Sequence, residues 1–99
     1  MNDLLRATAS SIAVRVPSVI ETDVDGELVL LDTEGGACCG LNKMGSHIWK
    51  LLEAPTRVSD LCVRLMSEFD VPADICEAQI IDFLNAMRGG GLVKFVEIA

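Results

Sequence analysis

The apolar residues of this chain change period once, at Asn42, and that change limits what it can fold into. Before it, short runs of branched apolar residues are separated by turn formers. Ile12 to Val16 stops at Pro17, and Val19 to Val24 runs into Asp25-Gly26, a pair suited to a two-residue hairpin. Glu27 to Asp32 follows, then Thr33-Glu34-Gly35-Gly36, then Ala37 to Leu41. This order predicts an antiparallel meander whose last strand is thin, with Gly36 and Gly40 and no bulky side chain before Leu41. Another chain can approach the backbone of such a strand closely.

After Asn42 the spacing becomes helical. Asn42 suits an N-cap, and Met44, Ile48, Leu51 and Leu52 fall on one face of a helix that ends at Ala54-Pro55. Thr56 is placed to cap a second helix, whose stripe Val58, Leu61, Cys62, Leu65, Met66 and Phe69 reads as core. A third helix starts near Ala73 after Pro72, carries apolar residues on more than one face and stops at Gly89-Gly90-Gly91. Leu92 to Val96 forms a short last strand. The expected class is α+β, winged helix-turn-helix-like: an N-terminal three-stranded antiparallel sheet, three helices and a short C-terminal strand. Residues 1–11 are expected as a flexible segment and 12–97 as one domain, which 99 residues suit.

Composition removes several functions. With 15 acidic and 8 basic side chains the net charge is −7, which repels phosphate backbones. The third helix, the one a helix-turn-helix would set in the major groove, offers no Lys or Arg from Ala73 to Asn85, so nucleic acid is not an expected partner. No apolar run approaches a membrane span, and MNDLLRATASS lacks a secretory pattern, so a cytoplasmic location is expected. The four cysteines, Cys38, Cys39, Cys62 and Cys76, include no Cys-x-x-Cys, and His47 is the lone histidine. Neighbouring residues on a strand point to opposite faces, so Cys38 and Cys39 do not share one ion without distortion. No third residue orients a Cys/His pair, and the carboxylates at Glu21, Asp23, Asp25 and Glu27 read as a solvated rim. No metal, cofactor or catalytic residue is assigned. A thiol- or metal-dependent protein is the lowest alternative.

Binding by backbone and shape is then the remaining class. A thin strand at a sheet edge presents unpaired N–H and C=O groups to which a peptide adds as a further strand, or to which a second copy pairs as a homodimer. The third helix either walls such a groove or packs on the rest of the fold, and its spacing leaves both open.

Leu28-Val-Leu-Leu-Asp32, Cys39-Gly-Leu-Asn42, Gly45, Ile48-Trp49, Leu51-Leu52, Thr56-Arg-Val58, Phe69-Asp70, Ile81-Asp-Phe-Leu84 and Gly91-Leu-Val93 resemble the layout of PqqD-like proteins. This is the coenzyme PQQ synthesis protein D family, whose fold is also the recognition element for ribosomally made, post-translationally modified peptides. The resemblance spans about residues 12–97, and Leu-Asn followed by Gly-x-x-Ile-Trp is its most specific part. It implies a non-enzymatic protein that binds the leader segment of a precursor peptide by strand addition and presents it to modifying enzymes such as a leader peptidase or cyclase. By position, Ala37, Cys38, Cys39, Gly40 and Leu41 would supply the edge, and Cys76, Gln79, Ile80, Phe83 and Met87 the helical wall, with Ile48 and Trp49 as scaffold. A stand-alone lasso-peptide recognition protein is the favoured member, and a peptide chaperone of PQQ synthesis the alternative. Cys39 departs from the family, which often has an aromatic there, so the pocket beside the strand is expected to differ.

Overall fold

The computed structural model describes residues 7–96, which form three helices and two small antiparallel sheets. In chain order the elements are β1 (Ile12–Arg15), β2 (Val19–Val24), β3 (Glu27–Asp32), β4 (Cys38–Gly40), α1 (Lys43–Leu51), β5 (Thr56–Arg57), α2 (Val58–Glu68), α3 (Ala73–Gly89) and β6 (Val93–Val96).

The meander forms the sheet β2-β3-β4. Its first turn holds Asp25 and Gly26 at φ +56° and +88°, a left-handed pair that matches the twist of a tight hairpin. Along β3, Leu28, Leu30 and Asp32 are buried while Glu27, Val29 and Leu31 face out, so one side of this sheet lies on the core. The Asp32 carboxylate organises the second turn. It accepts from the Ser18 hydroxyl at 2.5 Å and from the Glu34 amide at 3.1 Å, and these bonds hold its pKa below the ordinary 3.8.

The second sheet, β5-β1-β6, joins residues far apart in sequence: Ile12 stands opposite both Arg57 and Val96. Thr56 belongs to β5 instead of capping α2, whose N-cap position is Arg57 without a side-chain cap. The expected flexible segment 1–11 is packed from Ala7 onward. Ala7 is buried and its amide donates to Asn85 Oδ1 at 3.0 Å, and the Val58 and Ser59 amides donate to the carbonyls of Ser11 and Ala9. Residues 1–6, and Glu97 at the expected domain end, lie outside the described residues.

Trp49 ties the two sheets together. Its ring is buried, its indole N–H donates to Glu21 Oε1 on β2 at 2.9 Å, and the Arg15 guanidinium of β1 lies 4.6 Å over the ring. Arg15 also bonds Glu21 at 3.2 Å and the Trp49 carbonyl. In α2 the expected stripe is only partly core: Val58, Leu61, Cys62 and Leu65 are buried, whereas Met66 and Phe69 are exposed near the helix end. The core faces only the first two turns of that helix.

Candidate functional site

The strand-to-helix joint at 36–46 positions the site. Asn42 caps α1, its Oδ1 accepting from the Gly45 amide at 2.8 Å. The Ser46 hydroxyl, buried one turn in, accepts from the Leu28 amide at 2.8 Å and reaches the Leu41 carbonyl at 3.4 Å. It thus replaces the last rung of the β3–β4 ladder and fixes the end of β4 to the helix.

The ladder also fixes which backbone groups are free. The Leu41 amide donates to the Leu28 carbonyl and the Asp32 amide to the Ala37 carbonyl, each at 2.8 Å. With Leu30 opposite Cys39 between them, alternation turns the polar groups of Ala37, Cys39 and Leu41 toward β3. Those of Cys38 and Gly40 point away from it, at an edge no other strand in the described residues occupies. The side chains obey the complementary rule. Cys39 lies on the core side, opposite buried Leu30, and Cys38 lies on the solvent side, opposite exposed Leu31. The adjacent thiols therefore face opposite ways.

From Asn42, two residues past the end of β4, a cavity of about 280 Å³ opens between the start of α1 and α3. Met44, Ile48 and Phe83 supply its apolar surface, and Asn42, Gln79 and Asp82 are polar around it. Gly45 is part of this lining for a steric reason: a Cβ there would stand 3.0 Å from Phe83 Cε1 and 3.3 Å from Asn42 Oδ1. Two further hollows adjoin the same joint. One of about 370 Å³ is lined by Val24, Glu27 to Val29 and Gly40 to Asn42, and one of about 550 Å³ lies among Asp25, Gly26, Lys43, Met44, His47 and Phe69.

The residues expected as a helical wall divide into two sets. Gln79 and Phe83 reach the cavity. Cys76, Ile80 and Met87 are buried in the core and support the helix from behind, because the stripe they form with Leu84 is the one α3 packs inward. The exposed row lies next to it around the helix, where Ile75, Gln79, Asp82 and Ala86 share a face by helical spacing. Sequence reasoning missed Asp82, Met44 and Gly45 as cavity residues, and Ser46 as the residue that ties β3 to α1. An exposed Ile75 in register with Gln79 was the available signal for the outward row, but Ser46 gave none.

The thiols give no common site. Cys62 and Cys76 lie in the core, with Cys76 Sγ 3.9 Å from the Cys62 carbonyl, and burial beside Cys76 pushes the Cys62 thiol up to about 11. At neutral pH it stays protonated and poorly nucleophilic. Among the described residues no three His, Cys, Asp or Glu side chains gather closely enough to hold a metal ion, and no helix is long and apolar enough to cross a membrane.

Residues 27–93 match the family model described as coenzyme PQQ synthesis protein D (PqqD). Similar solved structures include two with bound leader peptides. One, described as "TbiB1 in Complex with the TbiA(beta) Leader Peptide", is 31% identical with a TM-score of 0.74, over 81% of this chain and 93% of the other. The second, "Lasso peptide synthetase B1 complexed with the leader peptide", is 23% identical with a TM-score of 0.71, over 82% and 95%, and is similar in fold. No curated protein matches.

Proposed function

The chain belongs to the coenzyme PQQ synthesis protein D family, and on that premise we infer that it is a peptide-recognition element without catalytic activity of its own. It takes the leader of a ribosomally made precursor as an added strand on β4 and presents it to a leader peptidase or cyclase. In this reading the winged helix-turn-helix-like scaffold serves a peptide, and the acidic α3 serves as a groove wall.

The observation that carries the reading is the outward backbone of Cys38 and Gly40, with Asn42, two residues beyond Gly40, lining the cavity that reaches Phe83. The two N–H groups of Cys38 and Gly40 donate and their two C=O groups accept, up to four main-chain bonds each worth about 0.5–1.5 kcal/mol net, the Gly40 carbonyl meeting among the described residues only the Cys39 thiol at 3.7 Å. Alternate guest side chains turn toward the groove, where Met44, Ile48 and Phe83 take an apolar group and Gln79 and Asp82 take its polar or cationic end. The relative solved with a leader peptide, 31% identical over most of both chains, supports a leader as the guest, and a leader of the lasso type is the favoured one. The family's description keeps a chaperone of PQQ synthesis as the alternative.

Isotope-labelled protein titrated with its cognate leader tests the proposal. The largest amide shifts are expected at residues 36–42 and along Gln79, Asp82 and Phe83. Shifts confined to the hairpin around Asp25 would contradict it. Cys38→Ser and Cys39→Ser are expected to bind the leader within about twofold of the parent, since backbone pairing uses neither sulfur; loss of function with an intact fold would restore the thiol reading.

A further inference from the structure

The outer face of the β5-β1-β6 sheet is cationic on a chain whose net charge is −7. On the inner face Ala13 and Val93 are buried and Phe95 packs on the core, so the alternate residues point away from it. The register gathers those residues. Ile12 stands between Arg57 and Val96, and Val14 opposite Lys94. Val96 is 43% exposed, Lys94 is exposed, and Ile12, Val14 and Arg57 are half-buried. The result is a short apolar ridge with a cation on either flank.

No acid neutralises it from within the sheet. None of the 15 acidic side chains lies on β1, β5 or β6. Arg15, the third cation of these strands, turns to the Ala13 side and is engaged with Glu21 and Trp49. Arg57 donates to the Ser10 carbonyl at 2.9 Å, and neither it nor Lys94 pairs with a carboxylate among the described residues.

Charge and size select the occupant. Two cations do not hold a phosphate surface against a net charge of −7: neutralising two phosphates gives a salt slope of only about −1.8, and each cation near an anionic bilayer contributes about 1 kcal/mol. A second copy presenting the same face sets cation against cation. The fitting partner is a protein patch with an apolar centre and an Asp/Glu rim. Strands of four, four and two residues, about 4.8 Å apart and rising about 3.4 Å per residue, span roughly 150–200 Å². A stable complex takes about 800 Å² from each partner, so the contact is transient and the ridge is its centre.

Placement narrows the partner further. The face shares no residue with β4 or with the three hollows around Asn42, so its occupant does not compete with a guest. An enzyme that cuts the leader has to reach the guest itself, whereas an enzyme that acts on the segment set free needs only to be at hand. The longest extent of the molecule is 36 Å, and an enzyme on this face touches the domain within that distance of the guest.

We propose that the outer face of β5-β1-β6 docks the enzyme that acts on the segment set free, through an apolar patch with an Asp/Glu rim on that enzyme, while β4 keeps the leader. The choice of enzyme rests on the leader-binding reading. The domain then holds its guest on one sheet and a receiving enzyme on the other.

The test uses the full chain, its cognate leader, and the purified leader peptidase and purified cyclase encoded beside it. Two independent variants are Lys94→Glu, at an exposed position, and Val96→Thr, which keeps a strand-forming residue. Leader affinity, read by fluorescence anisotropy, and peptidase affinity are expected within about twofold of the parent for both. Cyclase affinity, read by biolayer interferometry, is expected to fall at least about tenfold in Lys94→Glu and about threefold in Val96→Thr. Raising salt from about 50 to 300 mM should weaken cyclase binding to the parent at least about threefold, and less in Lys94→Glu. Saturating leader should not displace the cyclase. Variants that bind the cyclase like the parent would overturn the proposal, as would displacement by the leader, a loss that falls on the peptidase instead, or a dimer in sedimentation velocity that either variant dissolves. A variant that also loses leader binding has lost its fold, and the other variant then decides. Failure of the parent to bind the leader overturns the leader-binding reading; cyclase affinity that still falls in both variants leaves the docking face standing.

Discussion

The two sheets have three antiparallel strands each and opposite fates. In β5-β1-β6 the central β1 is bonded on both sides, and the segment from Ala7 to Ser11 is tied to α3 and to the start of α2. In β2-β3-β4 the last strand is three residues long, no other strand among the described residues pairs with its outer edge, and the sheet's solvent face is apolar. One sheet closes the domain and the other leaves it open at a defined place. If β4 binds a leader as proposed, a fold this small separates stability from that binding by giving each its own sheet.

Proline substitution tests that division most strongly. The Val16 amide donates to the Leu92 carbonyl, and Val14 pairs with Lys94 two rungs on, so the Val14 amide faces β6. Val14→Pro removes that bond from a central strand and leaves the Lys94 carbonyl without its partner, a cost on the order of 0.5–1.5 kcal/mol before any ring clash, read as a fall in the urea midpoint. Cys38→Pro deletes an amide that faces outward. It is expected to leave the midpoint nearly unchanged and to weaken leader binding by about tenfold or more. Cys39→Pro, one residue on, removes a rung to Leu30 and should destabilise as Val14→Pro does. Equal stability of the two β4 variants would show that the ladder is out of register with the one described.

A smaller effect is expected at the joint. Asn42→Ala removes the cap on α1 and should cost about 1 kcal/mol, measured by urea denaturation, with weaker leader binding because the side chain also lines the cavity. A stability loss with unchanged binding would separate the cavity from the guest.

The smallest effect concerns Asp32. Its folded-state pKa lies below the ordinary 3.8, so its contribution is present above that value and fades as pH falls through the lowered one. In thermal melts the advantage of the parent over Asp32→Asn should shrink from about pH 5 downward. An advantage that grows with acid would mean the Ser18 and Glu34 bonds do not favour the charged form.

How much of this the sequence disclosed depended on the range of each signal. The meander, the Asn42 cap and the limits of α3 are local patterns of alternation, capping and glycine, and they were legible. The pairing of Ile12 with Val96 is not local, and the two residues of β5 exist only because β1 is beside them. Within the site, β4 was legible as a thin edge. The α3 wall was half misplaced, because the strongest apolar stripe, Cys76, Ile80 and Met87, is the one the core claims, while the outward row is marked only by Ile75 among polar residues. Cys38 and Cys39 drew attention as chemistry, and the ladder turns them into two faces of one strand.

A host strand made of Cys-Cys-Gly is nearly illiterate. To a strand added as proposed it would offer main-chain pairing and almost no side chains with which to judge what that chain says. Reading would then fall to the hollows around the joint, so a guest could vary at most of its positions while a few remain under scrutiny. If the proposed reading holds, the tolerance of such a receiver for different guests would be set by a few residues around Asn42 and Phe83.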